Sequence, residues 1–113
     1  MNTEEFIIKY LSEKLDVPVS GEVPNPLIES FVTVEQTGSR TENHLYHPTL
    51  AIQSWAESRA KARALNEKVK NAMAAAIFCP EISRCALDTD YNFPDLELKH
   101  PRYQAIFAIT FLG

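Results

Sequence analysis

Few side chains in this chain of 113 residues are spaced for chemistry. His44 and His47 stand three apart in a polar stretch. A zinc site would need further cysteine, histidine or carboxylate ligands to complete a tetrahedron, and no such pattern surrounds them. Asp88 and Asp90 are two apart, so a regular strand would place them on one face as a carboxylate pair. The competing reading is a solvated strand face near a turn. Cys85 beside a histidine would make a nucleophile pair. Yet Cys85 falls in the apolar register of its strand and reads as core. The turn Thr37-Gly38-Ser39 matches neither a phosphate loop nor a dinucleotide fingerprint. With three glycines in the whole chain, a Gly-rich phosphate cradle is not expected. These residues predict no catalytic site, no metal and no cofactor.

The bulk numbers agree with one ordinary domain spanning residues 1–113. Apolar residues make up 45% and charged residues 23%, which is enough to bury a core without staples. The net charge is −4 and lysines and arginines form no run, which disfavours nucleic acid as a specific partner. Cys79 and Cys85 do not make a disulfide scaffold, and each reads as a small hydrophobe in a reducing compartment. The acidic opening Met1-Asn2-Thr3-Glu4-Glu5 lacks signal-peptide character, and no stretch is long enough to cross a membrane. The cytoplasm is the expected compartment.

The elements that would position any site follow from periodicity. Thr3 reads as an N-cap, with Glu4 and Glu5 in the first turn of a helix over about 4–15. Pro18, Pro24 and Pro26 end it and leave room for one short edge strand between Val17 and Val23. Ser30 to Gln36 alternates as a strand, the Thr37-Gly38-Ser39 turn follows, and a polar loop from Gly38 to His47 reads as flexible. After a break at His47-Pro48, Thr49 to Trp55 is a second strand. The period then changes. Ala62, Leu65, Val69, Ala72, Met73 and Ala76 form one stripe of a helix over about 57–76, with Ser54 or Glu57 assisting its cap. Ser83 to Tyr91 alternates again, with Cys85, Leu87, Thr89 and Tyr91 on one side and Arg84, Ala86, Asp88 and Asp90 on the other. The predicted fold is α+β: a mostly antiparallel sheet of about four to five strands with two helices packed on it.

The last strand, Arg102 to Leu112, points outward. Tyr103, Ala105, Phe107, Ile109 and Phe111 lie on one side, and Gln104, Ile106, Ala108, Thr110 and Leu112 on the other. A half-solvated strand should alternate apolar with polar, and this one is largely apolar on both sides. Either it is the central strand with a helix over each face, or another subunit covers part of the sheet. Trp55 fits a core or an interface equally. Arg40, Arg59 and Arg102 are candidates for ion pairs with a partner, which would set register more than affinity.

Three ordered segments carry a resemblance. They are Phe31-Val32-Thr33-Val34-Glu35-Gln36-Thr37-Gly38-Ser39-Arg40, then His47-Pro48-Thr49-Leu50-Ala51-Ile52-Gln53-Ser54-Trp55-Ala56-Glu57-Ser58-Arg59, and then Tyr91-Asn92-Phe93-Pro94-Asp95 with Pro101-Arg102-Tyr103-Gln104-Ala105. In this order the chain resembles the tail terminator, or tail completion, proteins of long-tailed bacteriophages and prophages, over most of its length from Phe31 onward. The resemblance implies a small structural protein with no reaction and no cofactor. It implies a ring of identical subunits, typically six, on the head-proximal end of the tail tube. That ring stops tube polymerisation and meets the head-tail connector. It also implies assembly in the host cytoplasm and residence in the virion tail. The candidate assembly residues are Arg40, His44, His47, Trp55, Arg59 and Arg102, and the loop from Gly38 to His47 is expected to order on assembly. Leu96-Glu97-Leu98-Lys99-His100 stands where such proteins often carry glycine, so the geometry of that hairpin is open. The alternatives are a neck or head-completion protein of the same virion, and a small ligand-binding or hydrolytic α+β domain.

Overall fold

Asn2, rather than Thr3, opens the first helix. Its Oδ1 accepts from the Glu5 backbone N–H at 2.8 Å, while Thr3 is already helical and buried. The computed structural model, which describes residues 2–112, has an α+β fold of two helices and five strands. In chain order these are α1 (Thr3–Lys14), β1 (Val19–Ser20), β2 (Phe31–Glu42), β3 (Leu45–Trp55), α2 (Arg59–Ala74), β4 (Ile82–Asn92) and β5 (Arg102–Phe111). The sheet order is β1-β2-β3-β5-β4, with β1 parallel to β2 and the other pairs antiparallel.

Both helices lie on one face. Ile7 and Leu11 of α1 and Leu65, Val69 and Met73 of α2 join one core with Val32, Val34, Leu50, Ile52, Phe107 and Ile109. Fully burying side chains of this size stabilises the fold by roughly 1.5–3 kcal/mol each relative to exposure. The stripe read from the sequence is the buried stripe of α2. Its cap is Ser58, whose Oγ accepts from the Lys61 N–H at 3.1 Å. The expected cap residues do other things: Ser54 is buried in β3, and Glu57 pairs with Lys61. The helix ends at Ala74, and Ala75–Phe78 continue as a 3-10 turn before Pro80.

Strand β5 is interior, between β3 and β4, as a central strand should be. Ala105, Phe107, Ile109 and Phe111 face the helices and are buried. The expectation of a helix over each face fails, because α1 and α2 share that side.

Three local expectations are overturned. The turn at Thr37-Gly38-Ser39 is a β-bulge. The register with β3 shifts between Gln36 and Gly38, and β2 runs on to Glu42. The chain reverses instead at Asn43 and His44, whose φ values of 52° and 65° suit a two-residue hairpin turn. The supposed flexible loop from Gly38 to His47 is therefore a hairpin arm. His47-Pro48 does not break the chain either. Pro48 is buried within β3, and the register with β5 is the same at Tyr46↔Phe111 and Thr49↔Ala108 on either side of it.

The third change is in β4. Its register with β5 slips between Leu87 and Thr89, so Asp88 is an extra residue. Beyond it the faces exchange. Arg84 and Ala86 now share a face with Thr89 and Tyr91, while Cys85 and Leu87 share theirs with Asp90. Simple alternation had grouped them the other way.

Candidate assembly interface

The helix-free face of the sheet is built from a cross-strand ladder of polar side chains. Trp55 Nε1 donates to Thr33 Oγ1 at 3.1 Å, and Thr33 Oγ1 donates to Gln53 Oε1 at 2.9 Å. Gln53 Nε2 donates to Gln104 Oε1 at 2.7 Å, and Gln104 Nε2 donates to the Tyr91 hydroxyl at 2.6 Å. The chain of bonds crosses β2, β3, β5 and β4. It exists because cross-strand partners on one face approach closely enough for such side chains to meet. Tyr91 reaches it only because of the Asp88 bulge.

Arg102 closes one end of this face. Its guanidinium carbon lies 4.7 Å from the Trp55 ring centroid and 4.3 Å from that of Phe93. Its Nε donates to the Phe93 carbonyl at 2.7 Å, and Asp95 Oδ2 lies 3.6 Å from its Nη1. Burial pulls its pKa below the ordinary guanidinium value, opposed by the charge of Asp95. His100 stacks on Phe31 with centroids 6.0 Å apart, and its Nε2 lies 3.1 Å from the Glu29 carbonyl. The connection from β4 to β5 is thus strapped across the Phe31–Trp55 stack. Its turn uses Lys99 at φ 53° and a bridge between Asp95 and His100 in place of glycine.

Elsewhere the face is flat. Gly38, Thr49, Ala108 and Ala86 are successive cross-strand partners, so a row of small side chains runs from β2 to β4. On β3 and β5 the face reads Thr49, Ala51, Gln53, Trp55 and then Arg102, Gln104, Ile106, Ala108, Thr110. Arg102 is its one charge there, and it is paired.

The six candidate residues divide accordingly. Arg40 and His47 are cross-strand partners on the hairpin arm. Arg40 is exposed and paired with Glu42, and the His47 Nδ1 lies 2.9 Å from Thr110 Oγ1. His44 is exposed at the tip of the arm. Arg59 is exposed at the start of α2, at the other end of the sheet. Trp55 leaves 1% of its surface exposed, and the Arg102 side chain leaves 12%. Those two build the face from within. The sequence reading missed Thr33, Gln53, Gln104 and Tyr91. The signal was there in the two glutamines, each placed mid-strand among apolar neighbours.

The residues first considered for chemistry are scattered. His44 sits at the arm tip, His47 beside Thr110, and His100 over Phe31. Asp90 turns toward α2, where Asn66 Nδ2 and Lys70 Nζ donate to its Oδ2 at 2.8 and 2.9 Å. The Asp90 hydrogen bond, and then that of Glu67, holds the Lys70 ammonium pKa above its usual value. Asp88 occupies the bulge, so the two carboxylates do not share a face and do not form the pair weighed against a solvated strand face. Cys85 packs against the core, and burial pushes its thiol up to about 11. Among the described residues no three of His, Cys, Asp and Glu gather as metal ligands, and no helix is long and apolar enough to cross a membrane. No protein-family model matches the chain, and no curated protein matches it.

Proposed function

We propose that this protein is a structural component of a long-tailed bacteriophage or prophage. In this reading its copies form a ring on the head-proximal end of the tail tube, stop tube growth and offer a surface to the head-tail connector. It acts through contact alone, first in the host cytoplasm and then in the virion tail.

The observation that supports this is the helix-free face. A solvated sheet face ordinarily alternates outward charged and polar side chains. Here β3 and β5 carry alanine, threonine, isoleucine and mutually bonded glutamines with one charge that is already paired, and the exposed charges Glu35, Arg40 and Arg84 stand on the flanking strands β2 and β4. Covering such a face gains ~25 cal/mol per Å2 of apolar area. Its polar groups are largely satisfied by one another, so a neighbour can cover it without stranding them. The row from Gly38 to Ala86 allows a close approach. The ordered resemblance from Phe31 onward supplies the setting.

Native mass spectrometry across a concentration series, with and without tail-tube protein, tests the proposal, and electron microscopy of any oligomer gives its shape. A ring that forms in the presence of tubes and caps one end supports it. A chain that stays monomeric with tube protein present overturns it.

A further inference from the structure

The end of the molecule near the 3-10 turn carries both a knob and a hollow. Phe78 is 86% exposed, with Ile77 at 50% and Leu112 at 55% beside it. Leu112 is fixed there by its N–H, which donates to the Glu81 carbonyl at 2.7 Å. Next to them opens a cleft of about 450 Å3 between α1 and the turn into β4. Phe6, Tyr10, Pro80 and Phe111 wall it, and Lys9, Glu13 and Glu81 rim it. The Tyr10 hydroxyl donates to the Ala72 carbonyl at 2.6 Å, and Phe6 packs on Phe111 with centroids 5.4 Å apart, so the walls are held in place.

Leaving a phenyl ring in water beside a preformed apolar cleft is costly, and none of the described residues closes the gap. From this juxtaposition we infer that the patch binds a second copy of the same chain, the Phe78 ring of each copy entering the cleft of the other. A knob and its hollow on one patch satisfy the condition for a two-fold contact, in which residue i meets j and j meets i. The rim supports the same occupant. Lys9 and Glu13 lie on α1 and Glu81 just before β4, so a two-fold contact in which these two elements cross brings Lys9 of one copy to the Glu81 carboxylate of the other. A strongly acidic or basic partner would find both signs. The contact does not rest on the tail-ring reading. It forms in the free chain, whatever happens at a tube end. A contact with one aromatic anchor per copy is expected to dissociate at about micromolar concentration.

Sedimentation velocity of the full chain over the micromolar range tests this. The expected result is a monomer–dimer equilibrium in which Phe78→Asp raises the dissociation constant by roughly tenfold to a hundredfold, as loss of a central aromatic anchor does. The melting temperature should hold, because Phe78 is exposed in the monomer. Lys9→Glu and Glu81→Lys should each weaken association alone. Mixing the two variant chains should restore it, since the mixed dimer regains both opposite-charge contacts. A chain that is monomeric throughout, a dimer indifferent to Phe78→Asp, or a mixture no tighter than either variant overturns the inference. Association that appears only when tube protein is added would give the patch to another chain, and also overturns it.

Discussion

Gln53 and Gln104 face each other across β3 and β5, and the Gln53 amide nitrogen donates to the Gln104 amide oxygen at 2.7 Å. Each uses its other amide atom as well, Gln53 accepting from Thr33 and Gln104 donating to Tyr91. Replacing Gln104 by leucine keeps the bulk but strands the Gln53 amine and the Tyr91 hydroxyl. We expect a loss of about 1–3 kcal/mol, the usual cost of leaving such groups unpaired. Urea denaturation measures it. A double-mutant cycle with Gln53→Leu should give a smaller combined loss than the sum, because the two share one network.

Arg102→Lys tests the stacked guanidinium. Lysine keeps the charge but loses the planar contact with Trp55 and Phe93 and the Nε bond to the Phe93 carbonyl. A loss of roughly 1–2 kcal/mol in thermal unfolding is expected. Tryptophan fluorescence should also shift, because the strap over Trp55 loosens. An unchanged stability and spectrum would mean that the stack does not hold the strap.

Ala108→Arg addresses the flat row directly. Ala108 is half-buried on the helix-free face, with Thr49 and Ala86 as neighbours. An arginine there points away from the core, so circular dichroism and melting should stay near wild type. Assembly on tail tubes should fail, since a long cation stands where a close approach is needed. A variant that still caps tubes would move the interface off this face.

Cys85 makes the fold sensitive to alkali. Its thiol ionises near 9.0 when exposed and at about 11 in the folded protein, with burial as the cause. Above pH 9 the unfolded chain releases this proton before the folded one does. The stability contributed by the neutral thiol is therefore full below pH 9 and lost as pH rises through about 11. Cys85→Ala should flatten the alkaline limb of the stability–pH curve. At neutral pH, alkylation of Cys85 should be slow in the native protein and fast in urea.

How much of this was legible depended on whether periodicity stayed in phase. The stripe from Ala62 to Met73 and the alternation in Phe31–Glu35, Leu50–Trp55 and Tyr103–Phe111 assigned faces correctly, since each run is uninterrupted. Single-residue insertions defeated the rest. Thr37 imitates a turn because glycine and serine follow it, yet the true reversal uses Asn43 and His44. Asp88 looks like one more alternating residue, yet the β5 register absorbs it as a bulge. The helix-free face was hidden for a related reason. Its members are far apart in sequence and become neighbours only through pairing, so Thr33 and Tyr91 signalled nothing individually and only the mid-strand glutamines Gln53 and Gln104 stood out.

That bulge also makes β4 a strand with a clutch. Upstream of Asp88 the odd-numbered Cys85 packs on the core and the exposed Leu87 lies on the same side; downstream the even-numbered Asp90 takes that side, and Tyr91 is released to the opposite layer. By standing outside the ladder, one spare residue therefore sets which layer every later side chain of the strand belongs to. Deleting Asp88 would let Thr89 follow Leu87 in plain alternation opposite Ile106, so Asp90 would keep its place beside Lys70 and Tyr91 its place in the ladder. A residue added there and paired into the ladder would instead exchange the layers of every side chain beyond it.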